Sequence, residues 1–331
     1  MKRKKIVLIG CGSVGNSFIY SCINQGLAEE YVLIDMFKEF AEGNAIDFSD
    51  TQASLPNSFA SIKAGDYPDC KDADIVVITA GRPQKPGETR LNMVADNAKI
   101  MQDIALKIKS SGFNGITLIA SNPVDIMTTV YQKVTGFDIH KVIGSGTILD
   151  TARLRFLLSQ KLNVSPKSIS AYVIAEHGDS SFIPWSCTTV ANKTINQLIA
   201  EKLITKEDLN EIEQQVRNRA YEIINLKKAT FYGIAAALAS LVKIIYEDQN
   251  TISIAGGYLE GQYENSGFYV GVPMILNLKG WKKVIQLPLT EEEQEKFAKS
   301  CQIIKETLDT AYQAINMNLP NNETIMKGNT L

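Results

Sequence analysis

Histidine is scarce in this chain: its 331 residues hold two, His140 and His177. His177 lies in Ala175-Glu176-His177-Gly178-Asp179-Ser180, directly after the apolar run Ala171-Tyr172-Val173-Ile174. A histidine at the end of a predicted strand, followed by glycine, stands where its ring can reach a ligand. Its ordinary pKa of about 6.5 lets it carry or release a proton near neutral pH. Acid–base chemistry through histidine therefore has one strong candidate. His140, in Phe137-Asp138-Ile139-His140-Lys141, precedes a predicted strand at a domain edge and reads as a surface or structural histidine.

A second group of residues points to a nucleotide. Gly10-Cys11-Gly12-Ser13-Val14-Gly15 follows a predicted strand and opens a predicted helix. In such a turn the first glycine allows the tight bend. The second lets the backbone approach a pyrophosphate, and the third lets helix and strand pack closely. The helix start supplies N–H donors and a partial positive charge, shared here by Ser13 and Val14. Asp35 ends the next predicted strand, where a carboxylate can accept from the ribose hydroxyls of NAD and would repel the 2′-phosphate of NADP. The competing reading is a ligand-free glycine turn with Asp35 capping a loop.

A third group is Gly81-Arg82-Pro83-Gln84-Lys85-Pro86-Gly87-Glu88-Thr89-Arg90. Its prolines, glycines and charges exclude it from a core. It reads as a surface loop, and long polar loops beside a nucleotide fold often act as lids. Arg90 stands at its end, just before a predicted helix. Alone, the segment reads equally well as a solvated charged loop.

These groups need a frame. Compact apolar runs at 5–9, 31–34, 60–64, 74–79, 116–120 and 141–143 suit buried parallel strands. Helical stretches at 14–25, 91–109 and 124–134 connect several of them. Strands alternating with helices predict a doubly wound parallel sheet, a Rossmann-type α/β fold. The second half is helix-rich, with strands expected at 171–174, 251–255 and 268–272, an α+β domain. Thr205 to Asp208 reads as a helix start, followed at helical spacing by Leu209, Ile212, Val216, Ala220 and Ile223. Thr290 with Glu293 forms a capping-box pair. The stripe Phe297, Cys301, Ile304, Leu308, Ala311 and Ile315 then reads as core or subunit interface. The tail from Asn318 is expected to fray. The domains are placed at 1–147, binding NAD, and 148–331, binding substrate and carrying the catalytic groups.

Composition narrows the function. The chain has 34 basic and 36 acidic residues, a net charge of −2, 45% hydrophobic and 21% charged residues. That balance argues against nucleic-acid or membrane-surface partners. No run approaches the ~20 apolar residues of a membrane span. Met1-Lys2-Arg3-Lys4-Lys5 is followed by only four apolar residues before Gly10, so a solvated tip and a strand are expected rather than a secretory signal. Five widely spaced cysteines without a CxxC exclude a disulfide framework or zinc site, and no metal is expected. Reduced thiols suit the cytoplasm.

Taken in order, the glycine turn, the 81–90 loop, Ser121-Asn122-Pro123-Val124-Asp125, Asp150-Thr151-Ala152-Arg153 and Glu176-His177-Gly178-Asp179 resemble the bacterial-type L-lactate dehydrogenases of the lactate/malate dehydrogenase family. The resemblance implies reversible hydride transfer between NADH and pyruvate, giving L-lactate in fermentative glycolysis. It implies His177 as general acid and base, with Asp150 holding the other ring nitrogen. Arg153 would fork onto the substrate carboxylate, Arg90 would polarise the carbonyl, and Asn122 would face both cofactor and reacting centre. Thr230 would line the substrate pocket. Asn122 has a second reading, as a helix N-cap with Pro123 at the first helical position.

Specificity turns on Gln84, where malate dehydrogenases carry arginine. A neutral amide suits the methyl of pyruvate, whereas oxaloacetate needs a cation. Broader L-2-hydroxyacid activity stays open, because Ser181 replaces a common acidic residue and Ala175 a common glycine. A non-catalytic NAD-binding redox sensor is the reading from another class. The resemblance also implies a homotetramer. Many such enzymes respond to fructose 1,6-bisphosphate through an arginine and a histidine. Arg155 matches the arginine but Ser170 stands at the histidine position, so activation is expected to be absent or weak, unless another anion takes over.

Overall fold

The computed structural model describes residues 2–82 and 90–317, the side chains of Arg90 and Leu91 excepted. Gln84, most of the 81–90 loop and the tail from Asn318 lie outside the described residues. The chain opens with β1 (Lys5–Ile9), α1 (Ser13–Gln25), β2 (Glu30–Ile34), α2 (Lys38–Asp50), β3 (Ser61–Ala64) and β4 (Ile75–Ile78). It continues through α3 (Arg90–Ser110), β5 (Ile116–Ile119), α4 (Val124–Thr135) and β6 (Val142–Gly144). Buried runs such as Ile6-Val7-Leu8 and Val76-Val77-Ile78 have helices on both faces and no solvent face, hence their unbroken apolar character.

These six strands pair in parallel in the order 3-2-1-4-5-6, the doubly wound order that places ligands at the carboxyl ends of the strands, near the switch beside β1. The second half adds α5 (Ile148–Leu162), β7 (Ile169–Ser170), β8 (Thr189–Val190), β9 (Lys193–Thr194), α6 (Ile195–Ala200), α7 (Lys206–Lys227) and α8 (Tyr232–Tyr246). Then come β10 (Thr251–Glu260), β11 (Ser266–Asn277), β12 (Gly280–Val284) and α9 (Glu291–Ala314). Rather than forming a sheet of its own, the β10–β12 meander extends the first sheet. β10 lies antiparallel to β6 at Gly256 and Gly144, two glycines whose backbones nearly touch. Strands β10 and β11 are ten and twelve residues long, well beyond the short runs expected.

The strand expected at 171–174 is a correction. Only Ile169–Ser170 pair in a ladder, with β8. Beyond them Ile174 and Ala175 form single antiparallel bridges with Phe182 and Gly271, and at Val173 helix α5 supplies the partners a strand would supply. Thr151 Oγ1 accepts the Val173 N–H at 2.9 Å, and Thr147 Oγ1 donates to the Val173 carbonyl at 2.5 Å. The segment thus leaves its sheet and crosses α5, which delivers His177 to that helix.

The expected capping box at Thr290 forms, and the helix start at Thr205 proves to be one as well. Thr205 and Asp208 start α7, and Thr290 and Glu293 start α9. The whole α9 stripe from Phe297 to Ile315 is buried in the main core, where α9 packs on α3 and α4. A smaller core joins α5, α6 and α7 through residues such as Leu158, Val173, Leu198 and Val216.

Candidate active site

The glycine turn occupies the carboxyl end of β1. Gly10 adopts φ +99°, and a Cβ there would meet the Ala80 backbone nitrogen at 2.6 Å, so turn and close approach both require glycine. Gly15 packs its bare Cα face against the Gly10 carbonyl and Thr79. Gly12, by contrast, faces open space, and as N-cap of α1 it makes no side-chain cap bond. The first-turn N–H groups, including those of Ser13 and Val14, therefore point at a place where an anion fits. Asp35 follows β2 and accepts from Cys11 N at 2.8 Å and Phe37 N at 3.0 Å. A carboxylate has about four lone-pair sites, so capacity remains for ribose hydroxyls. An uncapped helix start beside a half-exposed acid fits NAD.

The acid–base group forms where the 171–177 segment crosses α5. His177 Nδ1 lies 2.7 Å from Asp150 Oδ2, and Arg153 Nη1 lies 3.1 Å from Asp150 Oδ1. Asp150 and Arg153, three apart on α5, share one face. The His177 side chain keeps 28% exposure, against 12% and 10% for Asp150 and Arg153, so the ring is supported from below and open on one side. Burial pushes the Asp150 carboxyl up, but the His177 imidazole and the Arg153 guanidinium outweigh it and hold the group below the usual carboxylate range. Burial alone would lower the His177 pKa; Asp150, then Asp125, reverse that and raise it. With Nδ1 engaged by a carboxylate, the ring can present a protonated Nε2 near neutral pH. A cleft of about 130 Å³ opens here, lined by His177, Arg153, Ser181, Glu213, Arg217 and Tyr221 among others.

Other expected residues fall as follows. Asn122 is exposed, and Asn97 Nδ2 holds its carbonyl at 2.9 Å. It does not cap α4: Pro123 is itself extended (φ −69°, ψ 120°) and forms the N-cap without a side-chain cap bond, so the helix starts one residue later than expected. The same Asn97 bonds both backbone groups of Arg82, tying the base of the 81–90 loop to Asn122. Arg82 pairs with Asp96 at 2.7 Å. Arg90 is the first residue of α3. Thr230 sits half-buried between α7 and α8, outside the lining of the cleft. Ala175, buried two residues before His177, has φ +78°, a conformation that strains a side chain, and Ser181 lines the cleft.

Arg155, two residues past Arg153, turns away from the site. Its Nε donates to the Ala171 carbonyl at 3.0 Å and its guanidinium covers the Tyr172 ring. Ser170 is exposed at the end of β7. His140 is structural: its ring packs on Trp281 at 4.2 Å and its Nδ1 lies 3.1 Å from the Trp281 carbonyl. A larger cavity of about 1060 Å³ opens there at the opposite end of the sheet, lined by several lysines and aspartates, away from the glycine turn and His177.

Sequence reasoning quoted Asp125 within the 121–125 motif but gave it no role. This α4 residue is buried, and its Oδ2 accepts the His177 backbone N–H at 2.7 Å while Oδ1 has no partner. Burial pushes its pKa up to about 7. The available signal was a lone acid in the apolar run 124–130.

A dinucleotide turn on a doubly wound sheet, facing a histidine–aspartate pair and an arginine, defines the class of dinucleotide-dependent dehydrogenases. Within that class the chain belongs to the lactate/malate dehydrogenase family. The family's NAD-binding-domain model matches residues 4–144, and its alpha/beta C-terminal-domain model matches 147–315. An L-lactate dehydrogenase of Mycoplasma mycoides subsp. mycoides is 59% identical over 306 residues, spanning 92% of this chain and 96% of the relative. One from Mesoplasma florum is 55% identical over 311 residues, spanning 94% and 98%. The ligand-bound structure of the minor L-lactate dehydrogenase of Enterococcus mundtii aligns with TM-score 0.91 at 41% identity, covering 93% of this chain and 98% of that one.

Proposed function

We propose that the protein is an NAD-dependent L-lactate dehydrogenase. The observation that carries the reading is Asp150 bridging His177 and Arg153, which sets a proton donor and a carboxylate clamp side by side. Bound NADH supplies the hydride to the carbonyl carbon. His177 gives its Nε2 proton to the developing alkoxide and, in the reverse direction, takes the hydroxyl proton. Asp150 fixes the tautomer and stabilises the charged ring. Arg153 holds the substrate carboxylate, and Arg90 polarises the carbonyl. Gln84 admits the methyl of pyruvate, and Asn122 faces the cofactor and the reacting centre.

The decisive assay is NADH oxidation with pyruvate, 2-oxoisocaproate and oxaloacetate. The reading expects the highest kcat/KM for pyruvate, and NADH binding without turnover in His177→Asn. Turnover in that variant, or none in the wild type, would refute it.

A homotetramer is the assembly proposed, with the domains dividing at 147/148 and the enzyme working in the cytoplasm. Exposed apolar side chains at α2 (Phe37, Phe40, Ile46) and along α7 (Tyr221, Ile224, Leu226) support self-association. Sedimentation as a monomer would exclude it.

A further inference from the structure

The turn that carries His177 is held from behind by a helix that no part of the chemistry requires. Ser300, in the middle of α9, is 0% exposed. Its Oγ accepts the backbone N–H of Glu176 at 3.0 Å and lies 2.7 Å from Ser180 Oγ. Ser180 Oγ donates in turn to Glu176 Oε2 at 2.5 Å. Because Ser180 spends its proton on the carboxylate, Ser300 must give its own to Ser180. The three bonds close a ring that grips the residue before His177 and the residue three beyond it. Gly178 adds to the fit: a Cβ there would stand 2.9 Å from the Glu176 carboxylate and would push that side chain from its place beneath the turn. His177's own N–H goes to Asp125 on α4.

We propose that Ser300 is a positioning residue for catalysis: through its ring with Glu176 and Ser180 it holds the 176–180 turn, and with it the His177 imidazole, at the height the substrate requires. The inference rests on His177 being the proton donor of the proposed reaction. Arg153 belongs to α5 and takes no part in the ring, so substrate anchoring does not depend on Ser300. A misplacement of about 1 Å at the reacting group costs on the order of 100-fold in rate, whereas removal of a binding group raises KM.

The experiment compares wild type, Ser300→Ala, Ser180→Ala and His177→Asn as full-length enzymes. Pyruvate kcat and KM, NADH affinity by fluorescence and Tm are measured for each. Ser300→Ala is expected to lose about 10- to 100-fold in kcat, with pyruvate KM and NADH Kd within about twofold of wild type. Ser180→Ala cuts one arm and is expected to show the same split with a smaller loss, which keeps the test alive if Ser300→Ala folds poorly. Wild-type kcat in both variants overturns the proposal, as does a parallel collapse of kcat, KM and NADH affinity in both. Turnover by His177→Asn would overturn the functional reading as well, whereas unimpaired Ser300 and Ser180 variants beside an inactive His177→Asn would overturn the brace alone.

Discussion

Asp150 Oδ2 and His177 Nδ1 stand 2.7 Å apart, on elements that meet only because the 171–177 segment leaves its sheet to cross α5. The pair makes the ring a better proton holder at neutral pH, since the carboxylate outweighs the cost of burial and raises the His177 pKa. Pyruvate reduction needs the protonated ring, so activity should fall as pH rises through that raised value. In Asp150→Asn the charge is gone and the tautomer is no longer enforced. The alkaline limb of kcat/KM for pyruvate should move to lower pH, and kcat at neutral pH should drop about 10²- to 10⁴-fold. A limb that stays in place would separate Asp150 from the titration of His177.

The buried Asp125 carboxyl predicts a stability effect of unusual sign. Its pKa rises from an ordinary ~3.9 to about 7 on folding, because burial outweighs the His177 N–H bond and the attraction of the His177 ring. Glu176 and Asp150 push in the same direction as burial. Between those two values the unfolded chain has lost a proton that the folded chain keeps. Stability from this group is thus fully present below about pH 4 and is lost as pH rises toward 7. In Asp125→Asn the amide oxygen can still accept the His177 N–H, and the titration disappears. Relative to wild type, the variant should gain stability from pH 4 to 7, by a total on the order of a few kcal/mol. Parallel denaturation curves at all pH values would contradict the assignment.

Much of this frame was legible in the sequence, for reasons that are local. The run 5–9 is buried on every side and matches β1 residue for residue. Thr205 and Thr290 announce their helices because a capping box is built from four adjacent residues. His177, Asp150 and Arg153 were expected together through resemblance, and they meet. What stayed hidden depends on distant partners. No local pattern says that Thr147 and Thr151 will replace a neighbouring strand at Val173, or that β10 will join a sheet begun by the first half. Asp125 and Ser300 look like ordinary polar residues of amphipathic helices, and each gains its meaning only from the backbone of the 176–180 turn.

Gln84 predicts the substrate boundary. Arg82 is engaged by Asp96, and position 84 is the one we propose to decide whether a cation meets the substrate's distal group. Gln84→Arg should raise kcat/KM for oxaloacetate relative to pyruvate by at least about 100-fold, since an unpaired charge in a closed site costs about 3–5 kcal/mol. The competition is read from initial rates with each 2-oxo acid and NADH. An unchanged ratio would remove Gln84 from the specificity determinants.

Effector response follows from Arg155 and Ser170. An anion approaching Arg155 must compete with the Ala171 carbonyl, which takes the Nε proton at 3.0 Å, and with the Tyr172 ring beneath the guanidinium. Ser170 offers a hydroxyl but no charge, so it can donate a hydrogen bond to a phosphate yet adds none of the attraction that a cation at that position would supply. Fructose 1,6-bisphosphate should therefore leave the pyruvate KM within about twofold of its value without effector. Ser170→His supplies the missing cation and should introduce a KM decrease that weakens with added salt, as exposed ion pairs do. A severalfold fall of KM in the wild type would show that Arg155 releases Ala171 for the effector, and the intramolecular bond would then be the resting state of a switch rather than its replacement.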